Sequence, residues 1–410
     1  MFSLRTNKGV FAEIKNKTDI LAVGVDKGLE LAYNINKCLI YKLYFREAFS
    51  VTQRERQILQ LIEANPMIQQ QEIADKLGIT RSSVAVHISN LTKKGCIAGK
   101  GYVLRSGSYA VVVGGVNVDI GGRSFKALVG EDSNPGEVIT SLGGVGRNIA
   151  HNMSLMGIDV RLLSAYGDDL NGERVAASCS ELGIDLSHAL RVPGATTSTY
   201  LYITDPEGEM ALAVSDMEVC KRITSEYLSA NLALLQNAQV VVADANIPEE
   251  SLKFLAENLF VPLFVDTVST AKAEKVRSIL PKIHTLKPNR IEAELLSGVK
   301  IETEADAEKA AAVLLEKGVR RVFISMGAKG VFAATAKEKI WHGIIPGRMV
   351  NTTGCGDSFM GALVWAYLEG MNLKDTAAAG LAAGSITMES DETINPLMSA
   401  ELLKKRMKRK

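Results

Sequence analysis

The sequence has no Cys-x-x-Cys pair, and its five cysteines (Cys38, Cys96, Cys179, Cys220 and Cys355) are scattered and odd in number. That excludes a disulfide framework and a thiolate zinc site, and fits a reducing, cytoplasmic setting. No apolar run approaches the roughly 20 residues needed to span a bilayer. The first residues lack the basic-then-apolar order of a secretory signal, so no membrane partner is expected. An excess of one charge is missing too. Lys and Arg number 47 against 46 Asp and Glu, leaving +1. This rules out a uniformly basic nucleic-acid binder and confines any such role to a local patch. There is also no Gly-x-x-x-x-Gly-Lys-Ser/Thr phosphate loop. What remains is an ordinary globular balance, 47% hydrophobic and 23% charged over 410 residues, long enough for two or three domains.

Three segments differ in character. Residues 1–50 carry no readable chemistry. They are expected to be a poorly ordered extension, or sequence translated from upstream of a true start near Val51. Residues 51–105 read as helices. Thr52 caps one that runs to about Ala64, and Asn65-Pro66 breaks it. A second covers about Gln70 to Leu77, and Gly78 turns the chain. Thr80 caps a third, Arg81 to Lys94, with Val84, Ile88 and Leu91 at helical spacing. Glycines then punctuate a short apolar pair, Ile97 to Val103. Helices followed by a small hairpin make a winged helix-turn-helix. Gln71-Glu72-Ile73-Ala74 and Ser89 to Gly95 resemble the winged domains of bacterial transcription regulators.

Eight basic residues against four acidic ones give residues 52–105 a charge of +4. Arg81, Ser82, Ser83 and His87 fall on the outer face of the third helix, where base edges would be read. Lys100 lies in the wing, suited to a phosphate. DNA binding through residues 52–104 is the reading favoured. A helical dimerisation module with a solvated basic face is the alternative.

From Tyr109 onward, short apolar runs alternate with helical patterns, which predicts an α/β domain with a mostly parallel, doubly wound sheet. Two pieces break the rhythm. Residues 119–139 are strand-like without a long helix. Residues 199–214 read as a hairpin turned by Asp205-Pro206-Glu207-Gly208. Together they predict a small β lid, which would keep water from the chemistry. Exposed lid strands and a winged helix both favour a homodimer.

Five motifs carry chemistry. Asn117 and Asp119 follow Gly114-Gly115 two residues apart, so both can face one side of an extended segment and meet sugar hydroxyls. The loop Gly143-Gly144-Val145-Gly146-Arg147-Asn148 lets a ligand approach bare backbone, but its spacing is not that of a dinucleotide turn. Asn289 and Glu292 flank a strand-to-helix junction. They are either a capping box or a pair beside nucleotide phosphates and Mg²⁺. Ser325 to Gly330, with Gly327 and Lys329, is a small-residue turn that leaves room for a nucleotide. Asn351-Thr352-Thr353-Gly354-Cys355-Gly356-Asp357-Ser358 opens a buried helix. Its free N–H groups and dipole suit a phosphate. An Asp there is either a helix cap or a base that takes a hydroxyl proton during phosphoryl transfer.

In this order the motifs resemble the ribokinase-like, or PfkB-type, carbohydrate and nucleoside kinases, from residue 109 to about 402. The resemblance implies ATP and Mg²⁺, with Asp357 as base and Gly354, Cys355 and Gly356 as an anion hole. It implies Asn117, Asp119, Gly143, Gly144, Arg147, Asn148 and Asp357 around the acceptor. Asn289, Ser325, Gly327, Lys329, Gly330 and Gly356 would hold ATP, and Glu292 would hold Mg²⁺ through water. Asn351 stands where many ribokinases have Asp in a monovalent-cation site, which leaves potassium open. Arg147, the run Asp132 to Gly136, and Ser215-Asp216-Met217 look like pseudouridine kinases. They imply a ribose 5′-hydroxyl acceptor, with Ser133 and Asn134 near the base and Asn246 near the substrate. The competing expectations are a kinase for another nucleoside or a free sugar, and a transcription regulator that only senses its ligand. Retention of Asp357, Gly354 and Gly356 favours catalysis.

Overall fold

The computed structural model describes residues 52–65, 68–93, 96–97 and 109–408. Residues 1–50 and most of the expected wing, Lys100 included, lie outside them. The chain divides into two compact units, Met1–Arg105 and Ser106–Lys410.

In the first unit, Thr52 and Glu55 close a reciprocal capping box on α1 (Gln53–Ala64), satisfying two N–H groups that no helix turn can reach. Helix α2 (Gln70–Leu77) ends at Gly78, whose φ of +61° is left-handed and costs least in a residue without Cβ. In α3 (Arg81–Lys93) the Thr80 hydroxyl accepts from the Ser83 N–H at 3.2 Å. Ile58, Ile62, Ile73, Val84, Leu91 and Ile97 bury a core of their own.

The second unit is built on eight strands: β1 (Tyr109–Val113), β4 (Asp159–Leu163), β9 (Val241–Asp244), β10 (Leu263–Asp266), β11 (Thr285–Lys287), β12 (Arg321–Ser325), β13 (Val331–Thr335) and β14 (Lys339–His342). Their spatial order is β14-β13-β12-β11-β10-β9-β1-β4, parallel from β4 to β12 and antiparallel beyond. The parallel strands read as unbroken apolar runs because both faces are covered. Ala110 and Val112 of β1 enter one core and Val111 and Val113 the other. The covering helices are α4 (Val145–Leu155), α5 (Leu170–Glu181), α6 (Glu249–Asn258), α7 (Arg290–Ser297), α8 (Glu304–Glu316), α9 (Cys355–Leu368), α10 (Leu373–Thr387) and α11 (Ala400–Met407).

The two segments that broke the rhythm form a separate sheet: β2 (Asn117–Ser124), β3 (Gly136–Gly143), β7 (Thr199–Thr204) and β8 (Met210–Asp216), ordered β3-β2-β7-β8. A short pair, β5 (Ala165–Gly167) and β6 (Leu190–Val192), completes the strands among the described residues. Side chains alternate across the lid. One face carries Asn117, Asp119, Tyr200 and Tyr202. The other carries Val138, Leu212 and Val214, which are 72%, 61% and 56% exposed. The helix ends expected in the first unit fall within one residue of those found, whereas the strand-like stretch expected over 119–139 spans Asn117–Gly143. Helix α10, rich in Ala and Gly, was not among the expected elements. It is buried along most of its length, so no polar stripe marks it.

Among the described residues no helix is long and apolar enough to cross a membrane.

Candidate active site

Three charged residues end three neighbouring parallel strands. Asp244, Asp266 and Lys287 pair in register across β9, β10 and β11, at the carboxyl edge where ligands bind in such sheets. All are buried. Asp244 accepts from the N–H groups of Gly115 and Asn246 at 2.9 and 2.8 Å. Burial nevertheless lifts its carboxyl to about 6, with Asp266 adding to the rise. Lys287 Nζ lies 3.1 Å from Asp266 Oδ2, although that oxygen accepts no directed hydrogen bond. Burial pulls the Lys287 ammonium down, but the carboxylates of Asp266, Asp357 and Glu292 outweigh it and the net shift is upward.

Above this row, α9 begins at Gly354, whose φ is +80° and where a Cβ would strike the Thr393 carbonyl. The Cys355 N–H reaches Thr352 O over a long 3.3 Å, so the first turn keeps donors for an anion. A Cβ on Gly356 would sit 3.3 Å from Lys287 Nζ, placing the ammonium directly below the loop. The Cys355 thiol is pushed up to about 11 by burial and by Asp357, so it is no nucleophile at neutral pH.

Asp357 takes a hydrogen bond from Asn148 Nδ2 at 2.9 Å. Burial drives its carboxyl up to about 7, and Asp266 and Asp244 add to the rise. The Asn148 bond and Lys287 oppose it. Such a carboxylate is poised to exchange a proton near neutrality.

Of the residues expected at the acceptor, Asn117, Asp119 and Gly143 stand together. Asn117 donates to Asp119 at 2.6 Å, and Gly143 stands opposite Asn117 in the β2–β3 pair. Any Cβ at 143 would collide with Asp119 Oδ2 and crowd Asn117 Oδ1, so the glycine keeps these polar atoms clear. Gly144, at φ +97°, lies against the Gly115–Val116 backbone, closing the two glycine motifs on each other. Burial raises the Asp119 carboxyl against the pull of Asn117 and Arg147. Arg147 itself is buried. It donates to the Leu142 carbonyl at 3.2 Å and to the Ser178 hydroxyl at 2.8 Å, so it fastens lid strand β3 to α5 and acts on Asp119 through charge.

The residues expected at the nucleotide, Asn289, Glu292 and Ser325, are also neighbours. Asn289 and Glu292 do form a capping box on α7. Glu292 Oε2 accepts from the Asn289 N–H at 2.8 Å and from the Thr267 hydroxyl at 2.6 Å, and its other oxygen takes neither bond. Asn289 bridges to Ser325 at the end of β12. The turn after Ser325 contains Gly327 (φ +56°), exposed Lys329, and Gly330 (φ +93°), where a Cβ would strike His342 O.

Of the other expected residues, Ser133 and Asn134 lie in the lid loop and Asn246 lies beside the charged row. Ser133 is exposed in the β2–β3 loop. The Asn134 amide staples that loop, accepting from the Val129 N–H and donating to the carbonyls of Val129 and Asp132. Asn246 rests against Gly115 and takes a bond from Lys272. In the first unit Arg81 and Ser82 are exposed and His87 half-buried. Ser83 is tied to the Thr80 cap. Asp244, Asp266, Lys287 and Thr267 were not foreseen. The available signal was a charged residue closing each short apolar strand.

The family model of pfkB family carbohydrate kinases matches residues 108–400, and that of winged helix-turn-helix DNA-binding domains matches residues 52–98. An uncharacterized sugar kinase of Escherichia coli, YeiI, is 40% identical over 85% of this chain and 97% of its own. The Escherichia coli pseudouridine kinase is 40% identical over 72% of this chain and 95% of its own. A solved Arabidopsis thaliana ribokinase complexed with ribose and ATP superposes with a TM-score of 0.68 at 23% identity, covering 74% of this chain and 100% of that one; this likeness carries the fold alone.

Proposed function

The chain belongs to the pfkB family of carbohydrate kinases and is a phosphotransferase with an alcohol acceptor; from that premise we propose that the acceptor is the ribose 5′-hydroxyl of a nucleoside, pseudouridine first. The observation that carries the reading is the Asn148–Asp357 bond at the open end of α9, with Asp119 against Gly143 at the head of the same loop and Lys287 below. Asp119, Asn117 and Asn148 hold the ribose, and Asp357 accepts the hydroxyl proton as the oxygen attacks the γ-phosphorus of ATP. The first-turn amides and Lys287 take up the charge that develops. Asn289, Ser325, Gly327, Lys329 and Gly330 border the nucleotide. Glu292 has one oxygen outside its capping box, and Asp266 offers a second hard donor, which fits Mg²⁺ held partly through water. The bound ion would supply charge neutralisation on the phosphates. The kinship with a pseudouridine kinase favours that nucleoside over free sugars. A coupled ADP-release screen over pseudouridine, uridine, inosine, guanosine, ribose and fructose tests it. Turnover of the sugars alone would overturn the nucleoside assignment.

The winged unit supports a second role, control of transcription at a DNA site. Exposed Arg81 and Ser82 on α3 are its contact residues. Gel shifts of the full chain on its own promoter, with and without nucleoside, should show binding that weakens with salt. Absence of salt-sensitive binding removes that role. The exposed apolar face of the lid (Val138, Leu212, Val214) is proposed as the contact between two copies of the chain.

A further inference from the structure

We propose that Tyr202, with Tyr200 beside it, is the platform on which the base of the acceptor stacks, so that these two lid residues set the preference for nucleosides over bare sugars. The inference rests on the nucleoside reading above. Register places both rings on the lid face that carries Asp119. Asp119 pairs with Tyr200 and Gly121 pairs with Tyr202 across β2 and β7. On β2 the next position on that face after Asp119 is Gly121. Two residues of strand advance roughly 6.6–6.8 Å, about the reach from a sugar to the ring it carries. Gly121 has no side chain, and the Tyr202 ring fills its place: a Cβ there would lie 2.5 Å from the ring's Cζ and Oη. An aromatic ring therefore reclines across β2 directly beyond the carboxylate that grips the sugar. Tyr200 extends it, the two rings being 5.8 Å apart and tilted by 34°. Both rings are half-exposed, unlike the fully covered aromatics of the sheet cores. A hydroxyl-binding carboxylate one pleat from a flat apolar surface suits a sugar joined to a planar heterocycle. A free sugar would leave the rings uncovered.

The experiment compares kcat and KM for pseudouridine and ribose in wild type, Tyr202→Leu, Tyr202→Phe and Gly121→Ala, all in the full chain. Tyr202→Leu keeps apolar bulk but removes stacking. It should raise the nucleoside KM about tenfold or more while kcat changes little, as expected for one lost base–aromatic stack. The ratio of kcat/KM for nucleoside over ribose should fall by the same factor. Tyr202→Phe should restore both, and Gly121→Ala, which displaces the ring, should imitate Tyr202→Leu. Equal losses on nucleoside and ribose, or a fall in kcat at constant KM, would mean that Tyr202 only shapes the lid. An unchanged nucleoside KM would overturn the platform while leaving the nucleoside reading intact. If the wild type turns over ribose and no nucleoside, the nucleoside reading fails first and the platform with it.

Discussion

Asn148 donates its side-chain amide to the carboxylate of Asp357 at 2.9 Å, joining positions 209 residues apart. One turn further along each helix, Asn152 meets Gly361, where a Cβ would stand 3.2 Å from Asn152 Cβ and 3.3 Å from Met156 Cε. The absent side chain at 361 is what lets α4 and α9 approach closely enough for the bond one turn away.

Replacement of Asp357 by Ala is expected to lower kcat by at least ~100-fold, the usual worth of a general base. The circular-dichroism spectrum should stay native and unfolding should stay cooperative. Near-normal turnover would remove Asp357 from the role of base.

The acid limb of kcat/KM should report an apparent pKa near 7, because the free Asp357 carboxyl is pushed up to about 7. Activity rises with pH through that region as the base ionises. Asp266 raises this value, so Asp266→Asn should move the limb to lower pH. Asn148 lowers it, so Asn148→Ala should move the limb upward. Shifts of the same sign in both variants would refute the arrangement.

Stability follows the same carboxyl with a definite sign. Its folded pKa lies above its ordinary value of 3.8. The stability it contributes is therefore complete below that value and is lost as pH rises through about 7. Asp357→Asn stays neutral throughout. It should melt higher than wild type by at least ~2 °C at pH 8, and the difference should shrink at pH 5. A constant difference across that range would argue against a raised pKa.

Gly361→Leu is expected to separate α4 from α9 and to cost more turnover than affinity for nucleotide, since it acts on the Asn148–Asp357 pair. Steady-state kinetics together with an ADP-binding melt shift would separate the two effects. Gly361→Ala, whose Cβ meets its neighbours at 3.2 Å, should show the same trend more weakly.

Leu212→Arg on the outer lid face should lower the sedimentation coefficient from that of a dimer to that of a monomer. A monomeric wild type would dispose of the lid as a contact between copies.

Turnover should not depend on potassium. The Asn351 amide donates to the Asp391 carbonyl at 3.0 Å and accepts from the Thr353 N–H at 2.9 Å, so a neutral side chain already ties the anion loop to the segment at Asp391. Rates in potassium-free and potassium-saturated buffer should agree.

Much of this was legible in the chain because motif and element coincide there. Unbroken apolar runs such as Tyr109–Val113 permit only a strand covered on both faces, and the glycine turns mark where ligands meet backbone. The lid was visible as alternation that no helix could satisfy. Other features depend on long-range packing and leave little local trace. Lys287 looks like the tail of a three-residue strand until Gly356 is placed above it. Asn134 resembles a free amide until its loop closes around it. The Leu373–Thr387 helix hides because small residues bury it without producing a polar stripe.

Among the described residues each hydrophobic cluster draws its members from one side of the boundary at residues 105 and 106. The winged module therefore carries an interior of its own, and a cavity cut at Ile62 or Leu91 is felt first by its own three helices.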